Sequence, residues 1–156
     1  MKCLIVLIAV VVATLAAPHA DVKPHHTIDF NRFWTQEEID NYIAKLNNEY
    51  PQFIEVEVIG QTSESREIRA IRVTNEDTLT DDTPAIFITA GLSARDWIAT
   101  MSAIDIIHEL VEHNYEFEDL LDNLVWYILP VANPDGYIFS HGAGVSCSFS
   151  NFQLHY

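Results

Sequence analysis

The chain has 156 residues, with 8 Lys or Arg against 23 Asp or Glu and a net charge of −15 at pH 7. That length fits one principal domain. So acidic a balance argues against nucleic-acid binding, which needs a basic face to neutralise phosphate, and it suits a soluble secreted protein.

The first elements concern the compartment. Lys2 supplies a positive start, and residues 4–17 form an apolar run broken only by Thr14. The run is shorter than the roughly 20 apolar residues that a membrane span needs. Thr14 and Ala16 sit at a minus-three, minus-one spacing, so residues 1–17 are predicted to be a cleaved secretory signal, with Pro18 disfavouring a cut directly before it. Cleavage leaves a secreted, extracellular chain with no membrane span. It also removes Cys3, so that Cys147 is the one remaining thiol and no internal disulfide can form. Residues 18–34 are expected to be an extended lead-in, with His19, His25 and His26 on a solvated tail. No Asn-x-Ser/Thr acceptor occurs.

A helix is expected from Thr35. Thr35 and Glu38 form a capping box. Ile39, Tyr42, Ile43 and Leu46 then recur at one helical face until Pro51 stops it. Residues 53–59 and 68–73 alternate on period two and are joined by a polar linker, which predicts an antiparallel pair. Residues 74–83 are acidic and aperiodic, a loop. Residues 85–89 are a short apolar run after Pro84, expected to be a strand buried on both faces. Ile98, Met101, Ile104, Ile107 and Val111, with Leu110 beside them, predict a helix over 98–113. A second apolar run, 124–131, completes a βαβ unit whose strands should be parallel neighbours. Asn133-Pro134-Asp135-Gly136 has turn chemistry. Residues 142–156 contain no Asp, Glu, Lys or Arg. They have no clear period and are expected to form a poorly ordered, divergent tail.

Three segments together resemble the zinc metallocarboxypeptidases of the carboxypeptidase A/B type. Residues 60–73, GQTSESREIRAIRV, are similar to the family's Gly, small hydroxyl, Glu, Arg and Ile ahead of a strand. Residues 85–98, AIFITAGLSARDWI, are similar to a strand followed by Gly-x-His-Ala-Arg-Glu-Trp-Ile. Residues 129–137, LPVANPDGY, match the family's Pro-x-x-Asn-Pro-Asp-Gly-Tyr. The resemblance implies an incomplete carboxypeptidase-like domain over residues 35–141. Its fold would be α/β, a mixed sheet with flanking helices. It also implies a family reaction, the zinc-dependent hydrolytic release of C-terminal residues from peptides and proteins.

The junction at 91–97 is also where physical reasoning puts chemistry, since open α/β sheets bind ligands at the carboxyl ends of their strands. Catalytic zinc takes three protein ligands and leaves a fourth position for water. The metal brings that water's pKa to about 7 and polarises the scissile carbonyl. The resemblance implies that the family draws two ligands from its His-x-x-Glu pair, a third from a distant His, and a general base from a later Glu. Here Ser93 stands at the His position and Asp96 at the Glu position. Serine is not a competent zinc ligand beside imidazole, thiolate and carboxylate. Asp96 is one methylene shorter than Glu, a retraction of about 1.3 Å, where sound sites tolerate about 0.2 Å.

No catalytic residue is therefore assigned within this chain, and zinc is expected to be lost or weakly held. Arg95 keeps the family's substrate-binding position, with a structural ion pair as the competing role. His108 and His113 are expected to be solvated or capping histidines. Neither His141 nor His155 can be assigned as the third ligand. Three readings stay open at this point: a truncated pseudoenzyme, a secreted protein that binds peptide or protein C-termini near Arg95 without cleaving them, and a fragment of a longer gene product. Apolar strands left without neighbours also predict self-association.

Overall fold

The computed structural model describes residues 28–29 and 31–142. The expected signal, His19, His25, His26, Cys147, His155 and all but the first residue of the expected tail lie outside them. Helix α1 (Gln36–Glu49) starts as the capping box requires. The Glu38 N–H donates to Thr35 Oγ1 at 3.3 Å and the Thr35 N–H donates to Glu38 Oε2 at 2.8 Å. Arg32, followed by the Thr35 N–H, holds the Glu38 carboxyl down at about 2. Ile39, Tyr42, Ile43 and Leu46 are the buried face. A Thr35→Ala variant should therefore lose about 1 kcal/mol of stability, read from urea unfolding. No measurable loss would show that Glu38 and Arg32 fix the helix start without the hydroxyl.

Strands β1 (Ile54–Gln61), β2 (Glu67–Val73), β3 (Ala85–Thr89) and β4 (Val125–Leu129) form one mixed sheet in the order β1-β2-β4-β3. β1 and β2 are antiparallel, with a register shift between Val58 and Gly60. β2 and β4 are antiparallel, and β3 and β4 are parallel, as the βαβ reading expects. Helix α2 (Trp97–Glu112) crosses between β3 and β4 and packs on β2 and β4. Met101, Ile104, Ile107, Leu110 and Val111 of α2 join Ile39, Leu46, Ile71, Val73 and Ile128 in the core. Ile28 and Trp34, ahead of α1, are buried in the same cluster.

Three expectations are corrected. β3 is not buried on both faces. Among the described strands it pairs only with β4, and Phe87 at its centre is 61 % exposed. An apolar run shows that a strand is apolar, but not that the described chain supplies a neighbour on each side. Ile98 is 68 % exposed, because the first turn of α2 packs inward through Trp97, Ala99 and Thr100 and leaves Ile98 on the outer face. Before β4, where no element was expected, the chain also forms a short helix, α3 (Glu118–Asn123), held to the core by Leu121. The Asn-Pro-Asp-Gly segment enters a helix, α4 (Pro134–Gly142), and does not merely turn. Pro at the first helical position costs nothing there, since its missing N–H would have no intrahelical partner.

Candidate functional site

The junction after β3 is tied to the segment after β4. The Ala90 N–H donates to the Leu129 carbonyl at 2.8 Å. The Ala132 and Asn133 N–H groups return to the carbonyls of Ala90 and Gly91 at 2.9 and 3.1 Å. Gly91 takes φ +61°, and a Cβ there would lie 2.8 Å from Thr100 Oγ1 and 2.9 Å from the Pro130 carbonyl oxygen. The chain can leave the strand in this direction only with glycine.

Past Gly91 the backbone makes a tight turn, with the Asp96 N–H donating to the Ser93 carbonyl at 3.0 Å. Asp96 is the N-cap of α2, and its side chain makes no capping bond. Ser93, Arg95 and Asp96 are all exposed on this turn. The geometry of a strand-to-helix site is thus present, with the carboxylate left unspent at the positive end of a helix.

The second wall is α4 and the residues leading into it. Asn133 Oδ1 accepts from the Gly136 N–H at 3.0 Å, and Asn133 Nδ2 reaches the Leu92 carbonyl at 3.4 Å. Ser140 Oγ lies 2.6 Å from the Ala94 carbonyl and accepts from Trp97 Nε1–H at 2.9 Å. Burial, with some help from the Glu38 charge, pushes the Tyr137 phenol up to about 12. It therefore remains a donor, to the Trp34 carbonyl at 2.6 Å. Asp135 accepts from Thr62 Oγ1 at 2.8 Å and pairs with Arg66, reaching back to the β1–β2 turn. Trp97, Asn133, Asp135 and Gly136 hold the turn in place.

The donors do not fit a zinc centre. At the turn they amount to one hydroxyl and one short carboxylate. Among the described residues, no group of three His, Cys, Asp or Glu side chains able to hold a metal includes Asp96. His141 is packed between Trp97 and Tyr137, with ring centroids at 4.4 and 4.6 Å, and burial lowers its pKa.

The zinc carboxypeptidase family model matches residues 39–148. The chain belongs to the zinc carboxypeptidase family. Carboxypeptidase B of Astacus astacus is 31 % identical over 113 residues, covering 72 % of this chain and 36 % of its own length. An inactive metallocarboxypeptidase of Saccharomyces cerevisiae is 29 % identical over 130 residues, 81 % of this chain and 30 % of its own. The solved carboxypeptidase A from Helicoverpa armigera superposes with a TM-score of 0.69 at 29 % identity, over 88 % of this chain and 34 % of that one. The chain thus spans about a third of the length of the relatives it matches.

One cluster escaped the sequence reading. His108 is not solvated. It is 7 % exposed, with Nδ1 2.7 Å from the Tyr42 hydroxyl. With Glu109 and His113 it forms a group of mutually close metal-type donors at the far end of α2. The adjacent His108-Glu109 pair and the nearby His113 were the available signal. The partner on α1 was not legible from spacing.

Proposed function

We propose that this chain is a secreted member of the zinc carboxypeptidase family that does not cleave peptides. Ser93 carries the proposal. The family's reaction needs imidazole and carboxylate on zinc at this turn, and a serine hydroxyl there supplies neither the charge nor the basicity to hold the ion. Nothing in this depends on how far the chain extends past Tyr156, because the altered pair lies inside the described fold. A relative whose name marks it as inactive supports the view that the family includes members without the activity. The basic-then-apolar start of the sequence supports secretion.

The test is an assay of C-terminal residue release from peptides ending in basic and in apolar residues, with zinc supplied. The expected result is no release above the blank. Zinc-dependent release that disappears in an Asp96→Ala variant would overturn the proposal.

A second expectation concerns association. β3 presents one unpaired edge among the described strands, with Phe87 exposed on it. Such edges pair with further chains. This 156-residue chain should therefore elute as oligomers, and Phe87→Lys should shift it toward monomer in size-exclusion chromatography with light scattering. A wild-type monomer at high concentration would count against the edge as a contact.

A further inference from the structure

Helix α2 ends in a second constellation, well away from Ser93 and Asp96. Its 16 residues correspond to about 24 Å of helix, and the family's junction is at the opposite end. At this end the donor atoms of His108, Glu109 and His113 lie within 4.8 Å of one another. His113 Nδ1 is 3.0 Å from Glu109 Oε2, and the His108 and His113 rings stand edge to face with centroids 5.5 Å apart. Donors sharing a tetrahedral zinc sit about 3.4 Å apart, given bonds near 2.1 Å. Side-chain rotations of the half-exposed Glu109 and His113 cover the difference.

Five positions along an ideal helix would put two side chains about 140° apart. His113 avoids this as the C-cap, with φ −103° and ψ 29°, and its N–H closes the last turn on the Glu109 carbonyl at 3.1 Å. The ring swings back over the helix end. That end carries the negative pole of the macrodipole, which favours a cation.

The buried side of the cluster orients it. The Tyr42 hydroxyl lies 2.7 Å from His108 Nδ1 and 3.4 Å from Glu112 Oε1, with Glu112 itself buried. When Tyr42 donates to the carboxylate, it accepts from Nδ1–H. The His108 Nε2 lone pair is then free to bind a metal. Metal-ligating histidines are typically held this way through their other nitrogen. Glu112 and Glu109 both place negative charge beside His108. Asp105 adds a further negative charge near it.

We propose that His108, Glu109 and His113 form a binding site for a divalent cation of the zinc class, oriented from the core by Tyr42 and Glu112. Two imidazoles and one carboxylate match that class of ion, with water completing the shell. At this place the ion would staple the end of α2, a structural role separate from peptide hydrolysis.

Zinc titration of the chelator-stripped full chain by calorimetry, with thermal melts in parallel, tests this. One ion per chain should bind and raise Tm. His113→Ala and Glu109→Gln should each weaken binding at least about tenfold, and Tyr42→Phe about tenfold through loss of orientation. Asp96→Ala should leave affinity unchanged. Circular dichroism identifies any variant that has lost its fold, and the conservative substitution at half-exposed Glu109 guards against that outcome. The proposal fails if folded wild-type chain shows no saturable zinc binding. It also fails if affinity survives in both His113→Ala and Glu109→Gln, which would place the ion on other residues. Loss of binding in Asp96→Ala would move the ion to the family junction and overturn both this site and the fit argument made there.

Discussion

Alanine at Gly91 should lower the unfolding free energy by about 3 kcal/mol or more, since a left-handed backbone costs a side chain about 1–2 kcal/mol and an overpacked interior about 1–3 kcal/mol. Both penalties apply here. Gly91 has φ +61°, and its added methyl would meet Thr100 Oγ1 at 2.8 Å, the Pro130 carbonyl oxygen at 2.9 Å and Val131 Cα at 3.0 Å. Two of those three atoms are backbone, held by the bonds that join the β3 and β4 extensions. Thr100 is fully buried on α2. Ser93→Ala, two residues on and exposed, should change stability by less than about 0.5 kcal/mol. Urea unfolding of the two variants measures the contrast. A loss below about 1 kcal/mol for Gly91→Ala would mean that the junction can adopt another path, and that the site geometry is not imposed by this turn.

That contrast separates what was legible in the sequence from what was not. Period and capping gave α1, the β1–β2 pair, the parallel β3–β4 pair and the core face of α2 from Met101 onward. These depend on local pattern, and the apolar face finds the core whatever else surrounds it. The family's three segments fixed where the turn lies and which residues stand at its ligand positions. The failures were all non-local. Whether β3 is central or at an edge depends on which strands exist to flank it, not on the composition of residues 85–89. Pro134 could begin a helix or close a turn, and contacts of α4 with Ala94 and Trp97 decide it. His108 looked like a surface residue because its helix neighbours include Asp105, Glu109 and Glu112. Its burial depends on Tyr42, 66 positions away in sequence.

Asp135 gives the second large effect. Its side chain is 18 % exposed, and it accepts from Thr62 Oγ1, from Ser63 Oγ, from the Glu64 N–H and from Arg66. One carboxylate thereby fixes the β1–β2 turn against the start of α4, which in turn braces the Ser93–Asp96 turn through Ser140 and Ala94. Removing it in Asp135→Ala leaves Thr62 without its acceptor and Arg66 paired only with the exposed Glu64. The expected cost is about 2–3 kcal/mol, the range for hydrogen bonds to a charged group that is mostly sheltered.

The pH dependence follows from the direction of the shift. Burial raises the Asp135 pKa, but Arg66, Thr62 and the Glu64 N–H outweigh it and leave it below the ordinary 3.8. A depressed carboxyl contributes stability that is complete above its unfolded value and is lost as pH falls through its folded value. The Asp135 contribution therefore disappears below about pH 4. His108 acts in a higher window. Its pKa is lowered by burial from 6.5, so the unfolded chain takes up that proton first and stability begins to fall as pH drops below that value. Stability against pH should accordingly decline in two separated steps. Glu38, held down at about 2, feeds the same lower step, so Asp135→Ala should shrink that step and leave the upper one. If the variant instead retained the same loss below pH 4, the acid sensitivity would belong to other carboxylates, and the Arg66–Asp135 link would be a surface pair of little consequence.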